Sequence, residues 1–206
     1  NARRTFEEHR SLLRRCGEVW IEEAFAERGG EFSVPPQIRS DLEQAQEGVD
    51  RYEGTGDPAA LDAAVAAWER ILNHSAFSLA DERFRLAVWN DAGGAYLRRY
   101  WRQGRNADLD NALRLCEEAV ATTPPDSPDR PGYLNNLGNG LRARYARTGR
   151  LADLEAAIER YEEAVAATPP DSPDRPSILN NLGNGLSDRY ARTGRLADLE
   201  AAIERY

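Results

Sequence analysis

Leu134-Asn135-Asn136-Leu137-Gly138-Asn139-Gly140-Leu141 decides the fold, because the same eight letters return at 179–186, 45 residues later. The copy reaches well beyond them. Thr123–Tyr161 matches Thr168–Tyr206 at 35 of 39 positions, differing only at Gly132/Ser177, Tyr133/Ile178, Arg142/Ser187 and Ala143/Asp188. Self-similarity at such a period marks an array of stacked structural units, each too small to bury its own apolar face. Read alone, Asn139-Gly140 between apolar residues would signal a hairpin turn. The surrounding spacing overrules it: Leu134, Leu137, Gly138, Leu141 and Tyr145 recur as one face of a helix. Leu154, Ala157, Ile158, Tyr161, Ala164 and Val165 trace a second helix, which stops before Thr168-Pro169-Pro170-Asp171-Ser172-Pro173-Asp174-Arg175-Pro176. Each unit is therefore expected to be an antiparallel pair, helix A followed by helix B.

Outward from this pair, Trp89-x2-Ala92-Gly93-x2-Tyr96 followed by Ala112-x3-Cys116-x2-Ala119 and Pro124 gives a second repeat, with Gly104 matching Gly149 at the turn between helices. Arg51-Tyr52-Glu53-Gly54-Thr55-Gly56 aligns with Arg144–Gly149, and Leu61, Ala64, Val65 and Trp68 align with Leu154, Ala157, Ile158 and Tyr161. That defines a worn first repeat, with Ala45 in the place of Gly138. The boundaries are 37–80, 81–125, 126–170 and 171–206, the last incomplete in helix B. Thr5-x2-Glu8 reads as a capping box that opens a helix through Leu12, Leu13, Cys16, Val19, Trp20, Ala24 and Phe25, stopped by Gly29-Gly30. Residues 1–30 are expected to form a cap over the first repeat.

Leu134-x2-Leu137-Gly138-x2-Leu141, with Ala157-x3-Tyr161-x2-Ala164 and Pro169, resembles the tetratricopeptide repeat. These units are 11 residues longer than the usual 34-residue one, through a longer A helix and a longer Pro-rich joint. They are similar to the long repeats of kinesin light chains, and to arrays found beside caspase-like CHAT domains or NTPase modules in bacterial and fungal signalling proteins. The resemblance implies an all-α, right-handed superhelical solenoid that acts as a protein-interaction scaffold and takes a peptide or protein segment in its concave groove. Two other roles follow from it: a regulatory or sensor arm of a larger enzyme of the CHAT or NTPase type, and self-association through the incomplete fourth repeat.

The balance of 27 basic and 35 acidic residues, net −8, argues against a nucleic-acid backbone as partner. All the basic residues are Arg. No apolar run has membrane-spanning length. Cys16 and Cys116, far apart, fit a reducing, cytoplasmic setting better than a disulfide scaffold. The sequence contains no Met and stops at Tyr206, level with Tyr161, so it is expected to be a slice of a longer protein. His9 and His74 have no ligand partners at metal spacing, and Cys116 fills an aromatic core slot of helix B. Nothing assembles a nucleophile, base and oxyanion site, so the expectation is no catalysis, no metal and no cofactor.

Binding chemistry is sought instead on helix A. Five of the eight residues of 134–141 are Asn or Gly, each costing about 0.5–1 kcal/mol against Ala in a helix, so packing or function must explain them. Gly138 is expected to admit a neighbouring helix, whereas Gly140, on another face, should tolerate Ala better. Asn136 and Asn139 fall on the line 132, 136, 139, 143, off the Leu stripe. In tetratricopeptide arrays that face lines the groove, where an amide can both donate to and accept from a bound backbone. The candidate groove residues are Asn136, Asn139, Arg142, Asn181, Asn184 and Asp188, with Arg98 at the matching place of the second repeat. The alternative is that these amides bond helix to helix within the array.

Overall fold

In every copy the chain reverses at a glycine. Gly56, Gly104, Gly149 and Gly194 all sit at φ of 70–71°, the left-handed region that a side chain disfavours. In the last three of these turns the glycine N–H donates to the carbonyl of Tyr100, Tyr145 or Tyr190 at 2.7 Å, closing the helix before it. The computed structural model describes residues 34–205. A 3-10 turn, Pro36–Ile38, leads into α1 (Arg39–Thr55) and α2 (Pro58–Asn73); a short α3 (Ser75–Ser78) follows. Then come α4 (Glu82–Gln103) with α5 (Asn106–Thr122), α6 (Arg130–Thr148) with α7 (Leu151–Ala167), and α8 (Arg175–Thr193) with α9 (Leu196–Arg205). No strand occurs among the described residues, and the fold is the expected all-α solenoid of helix pairs. The cap read for residues 1–30, with His9 and Cys16, lies outside the described residues.

The chain divides into two units, described separately. In one, from α1 to Ala119, α2 supplies the core: Leu61, Ala64, Val65 and Ile71 are fully buried and Trp68 nearly so. Helix α1 approaches it most closely at Gly48, where an added Cβ would lie 2.8 Å from Ala64 Cβ and 2.9 Å from the Ala60 carbonyl. The tight contact of the first repeat is thus one turn beyond Ala45, the place the repeat alignment indicated. Helix α4 approaches α5 at Gly93, against Cys116 Sγ. His74 caps α3, its Nδ1 accepting from the Ala76 N–H at 3.0 Å. Cys116 is buried, and burial, with Glu117 nearby, pushes its thiol up to about 12, so it is held neutral.

In the other unit, α6 packs on α7, and α8 packs on both α7 and α9. Tyr161 is fully buried, and its ring fills the space left by Gly138: a Cβ there would come 2.5 Å from Tyr161 Cε1. Gly140 is buried, and a Cβ on its counterpart Gly185 would meet Ile158 Cγ1 at 3.1 Å. Gly138 and Gly185 therefore serve different interfaces. The first admits the aromatic ring of the helix's own partner; the second admits the B helix of the repeat before.

The Pro-rich joint is organised by an arginine. Arg175 Nη1 donates to the carbonyls of Val165 (2.9 Å) and Thr168 (2.6 Å), and Thr168 Oγ1 donates to Ala164 O at 2.6 Å. Two of these bonds reach Ala164 and Val165 in the last turn of α7, where carbonyls run out of partners within the helix. Arg130 does the same for the carbonyls of Val120 and Thr123. Pro131 and Pro176 stand in the first turns of α6 and α8, where a missing N–H costs nothing.

Candidate functional site

Helices α6 and α8 lie in contact, so the amides of two successive repeats come together. Asn181 Nδ2 donates to Asn135 Oδ1 at 2.9 Å. Two turns further along the same seam, Arg142 Nε donates to Asp188 Oδ2 at 2.6 Å, each side chain 37% exposed. Asn139 Oδ1 accepts the Tyr161 hydroxyl proton at 2.8 Å. Burial raises the phenol's pKa well above its ordinary value, so Tyr161 is a fixed donor.

The expected line thus resolves into distinct parts. Gly132 is exposed, Asn136 and Asn139 are half-buried, and Ala143 is buried at 7% exposure, so the line turns inward at its far end. Asn181 and Asn184 are half-buried as well. Of the six candidates in this unit, Asn181 is bonded to the neighbouring helix A, Asn139 to its own helix B, and Arg142 and Asp188 to each other. An amide keeps further capacity after one bond, since it offers two donors and two lone pairs.

In the other unit Arg98 pairs with Glu53 of α1 at 3.0 Å. Asp91, at the place on α4 that Asn136 and Asn181 hold in later copies, is pushed up to about 7 by burial. The bond from Asn90 Nδ2 at 3.1 Å and the charge of Arg98 oppose that rise and do not cancel it. The same register of helix A is therefore amide in two repeats and carboxyl in one.

A recurring charge pair escaped the sequence reading. Arg99–Asp108 and Arg189–Asp198 are two-point pairs, Nε to Oδ2 at 2.9 Å and Nη2 to Oδ1 at 2.7 Å in both; Arg144–Asp153 makes one bond of 2.9 Å. Each joins the end of helix A to the first turn of helix B across the glycine turn. The signal was available: an Arg and an Asp nine residues apart in three copies, with Ala60 at the Asp position of the first. Asn135 and the joint arginines Arg130 and Arg175 were likewise not singled out.

Among the described residues no group of three or more His, Cys, Asp and Glu is placed to hold a metal, and no helix is long and apolar enough to cross a membrane. A comparison with curated proteins finds no match. Residues 132–174, which carry most of α6, all of α7 and most of the joint after it, match the family model described as Tetratricopeptide repeat, so this stretch is a tetratricopeptide-type repeat.

Proposed function

We propose that this chain is a protein-interaction module in which the A helices offer side-chain amides to an extended peptide or protein segment. Tetratricopeptide-type repeats mediate protein–protein contact in general, which gives the class of function. The observation that carries the finer reading is the meeting of amides from successive repeats at one seam, with Asn181 bonded to Asn135 and Asn136, Asn139 and Asn184 half-buried. Amides held at fixed spacing match a peptide backbone, which repeats one donor and one acceptor per residue. The flanking charges, Arg142 with Asp188 and Arg98 with Glu53, are already paired, so the amides supply affinity and the charges bias ligand choice. In this reading the chain binds and does not catalyse, its surroundings are the cytoplasm, and any catalytic activity belongs to a partner or a fused domain.

The test is selection from an extended-peptide library, followed by affinity measurement on the selected peptides. Asn136→Ala combined with Asn181→Ala is expected to weaken every selected peptide about five- to tenfold, the loss of one or two net hydrogen bonds. Thermal melts of the same protein separate lost binding from lost folding. Undiminished affinity in a folded double variant would return the amide row to a purely structural role.

A further inference from the structure

Two repeats identical at 35 of 39 positions pose a recognition problem inside the molecule. Helices α6 and α8 carry the same Leu, Asn and Gly set, including Gly140 and Gly185; at Gly185 the missing side chain leaves room for Ile158 of the preceding helix B. A junction between repeat 3 and another copy's repeat 3, or between repeat 4 and repeat 4, would bury nearly the same apolar stripe as the native junction. Repeat arrays dock by nearest-neighbour contacts and can nucleate at any repeat, so such wrong junctions are open to the chain. The core alone does not exclude them.

The differences between the copies do. Two of the four are adjacent, Arg142/Ser187 and Ala143/Asp188, and the observed contact runs from Arg142 of repeat 3 to Asp188 of repeat 4. It is offset by one position within the repeat. A junction of repeat 3 with repeat 3 would set Arg142 against Ala143. One of repeat 4 with repeat 4 would set Ser187 against Asp188, and the reversed order Ser187 against Ala143. Only repeat 3 followed by repeat 4 brings opposite charges together. Seven residues earlier, Asn181 meets Asn135 through letters that both copies share, so that contact is blind to order. We propose that Arg142 and Asp188 mark the order of the repeats: they specify that repeat 4 follows repeat 3 and select against out-of-register junctions. Half-exposed and partly screened, the pair discriminates by about two- to fivefold. It directs assembly where sequence identity leaves the choice open.

Refolding from denaturant over a concentration series tests this, with native monomer separated from misassembled species by size-exclusion chromatography with light scattering. Arg142→Asp sets two like charges at the junction. Arg142→Asp with Asp188→Arg restores the pair with reversed polarity. A third variant, Arg142→Ser, Ala143→Asp, Ser187→Arg and Asp188→Ala, keeps the composition but moves the charges to positions that do not meet. Tyr161→Phe, which loses the bond to Asn139, controls for lowered stability with the seam charges intact. The misassembled fraction is expected to rise about two- to fivefold in the first and third variants, to return to the wild-type value in the reversed pair, and to stay there in Tyr161→Phe at matched stability. A fraction that is the same in all variants, a rise in the reversed pair, or an equal rise in Tyr161→Phe overturns the proposal.

Discussion

Gly138 lies where the ring of Tyr161 needs the volume of a missing methyl group, and this one contact sets how closely α6 and α7 approach. Gly138→Ala forces a Cβ to within 2.5 Å of a fully buried ring carbon, so the helices must separate or Tyr161 must leave its rotamer. The expected cost is about 1–3 kcal/mol. Gly132, in the first turn of the same helix, would meet nothing within 4 Å, and copy 4 already carries Ser177 there. Gly132→Ala is expected to stabilise by about 0.5–1 kcal/mol through helix propensity alone. Thermal melts of the two variants should move in opposite directions; a shared sign would mean the contact with Tyr161 does not control the packing. Gly138 was legible in the sequence because the repeat pattern demands a small residue beside an aromatic one. Gly140 was legible only in part, because a spacing of two residues says only that the faces differ. It does not say that the second face is also buried, as it is at both Gly140 and Gly185. The amide row was legible as a departure from helix propensity, whereas its partners were not: Asn135 and Tyr161 reach it from 46 and 22 residues away, distances that local periodicity does not encode.

At the scale of the element, the A/B turn is held from two sides. The left-handed glycine reverses the chain, and an ion pair fastens the last turn of helix A to the first turn of helix B. Asp153 is buried at 4% exposure, and its Oδ2, like Arg144 Nε, has no hydrogen-bond partner, so the third repeat holds a looser version of the two-point pair in repeats 2 and 4. Removing one member of a buried pair strands the other, while removing both leaves a site that apolar atoms can fill. The first repeat has lost the acid alone: Ala60 is buried where the others have Asp, and Arg51, in the place of Arg144, is exposed. Asp198→Ala is therefore expected to cost about 1.5–3 kcal/mol, the worth of hydrogen bonds to a charged group. The double variant Arg189→Ala with Asp198→Ala should cost less than that single change. Denaturant unfolding of the two single variants and the double closes the cycle. Simple additivity would show that the pair contributes no coupling to the turn. The 45-residue period, the pairing of helices and the Gly turns were all legible because each depends on letters close in sequence. The Arg–Asp pair was equally local, yet Asp in a first helical turn has a sufficient explanation in the helix dipole, which concealed its second role.

Across the whole molecule, identical letters meet different surroundings, and this gives an internal control on packing. Ile158 is 2% exposed, covered from the side on which Gly185 of α8 approaches; Ile203, its copy on α9, is 65% exposed, and Leu196 is 64% exposed on the same stripe. The spacing of seven residues puts both on one side of the helix, with Leu199 half-buried between them. Burying an Ile or Leu side chain is worth about 1.5–3 kcal/mol, so two uncovered ones on a single stripe favour association with any complementary apolar surface. The net charge of −8 opposes indiscriminate association and is progressively screened as salt rises. The two effects make a specific expectation. Sedimentation velocity over a concentration series should show self-association of this chain that strengthens with added salt. Leu196→Gln together with Ile203→Gln should reduce it while leaving the unfolding free energy within about 0.5 kcal/mol of the original, since exposed side chains contribute little to the folded core. Substituting Ile158→Gln, the same letter on the covered face, should instead destabilise by about 2–5 kcal/mol, because it buries an amide in an apolar contact. Equal tolerance at 158 and 203 would show that the two faces are alike in solution, and that α8 does not cover α7 as the contact between Gly185 and Ile158 requires.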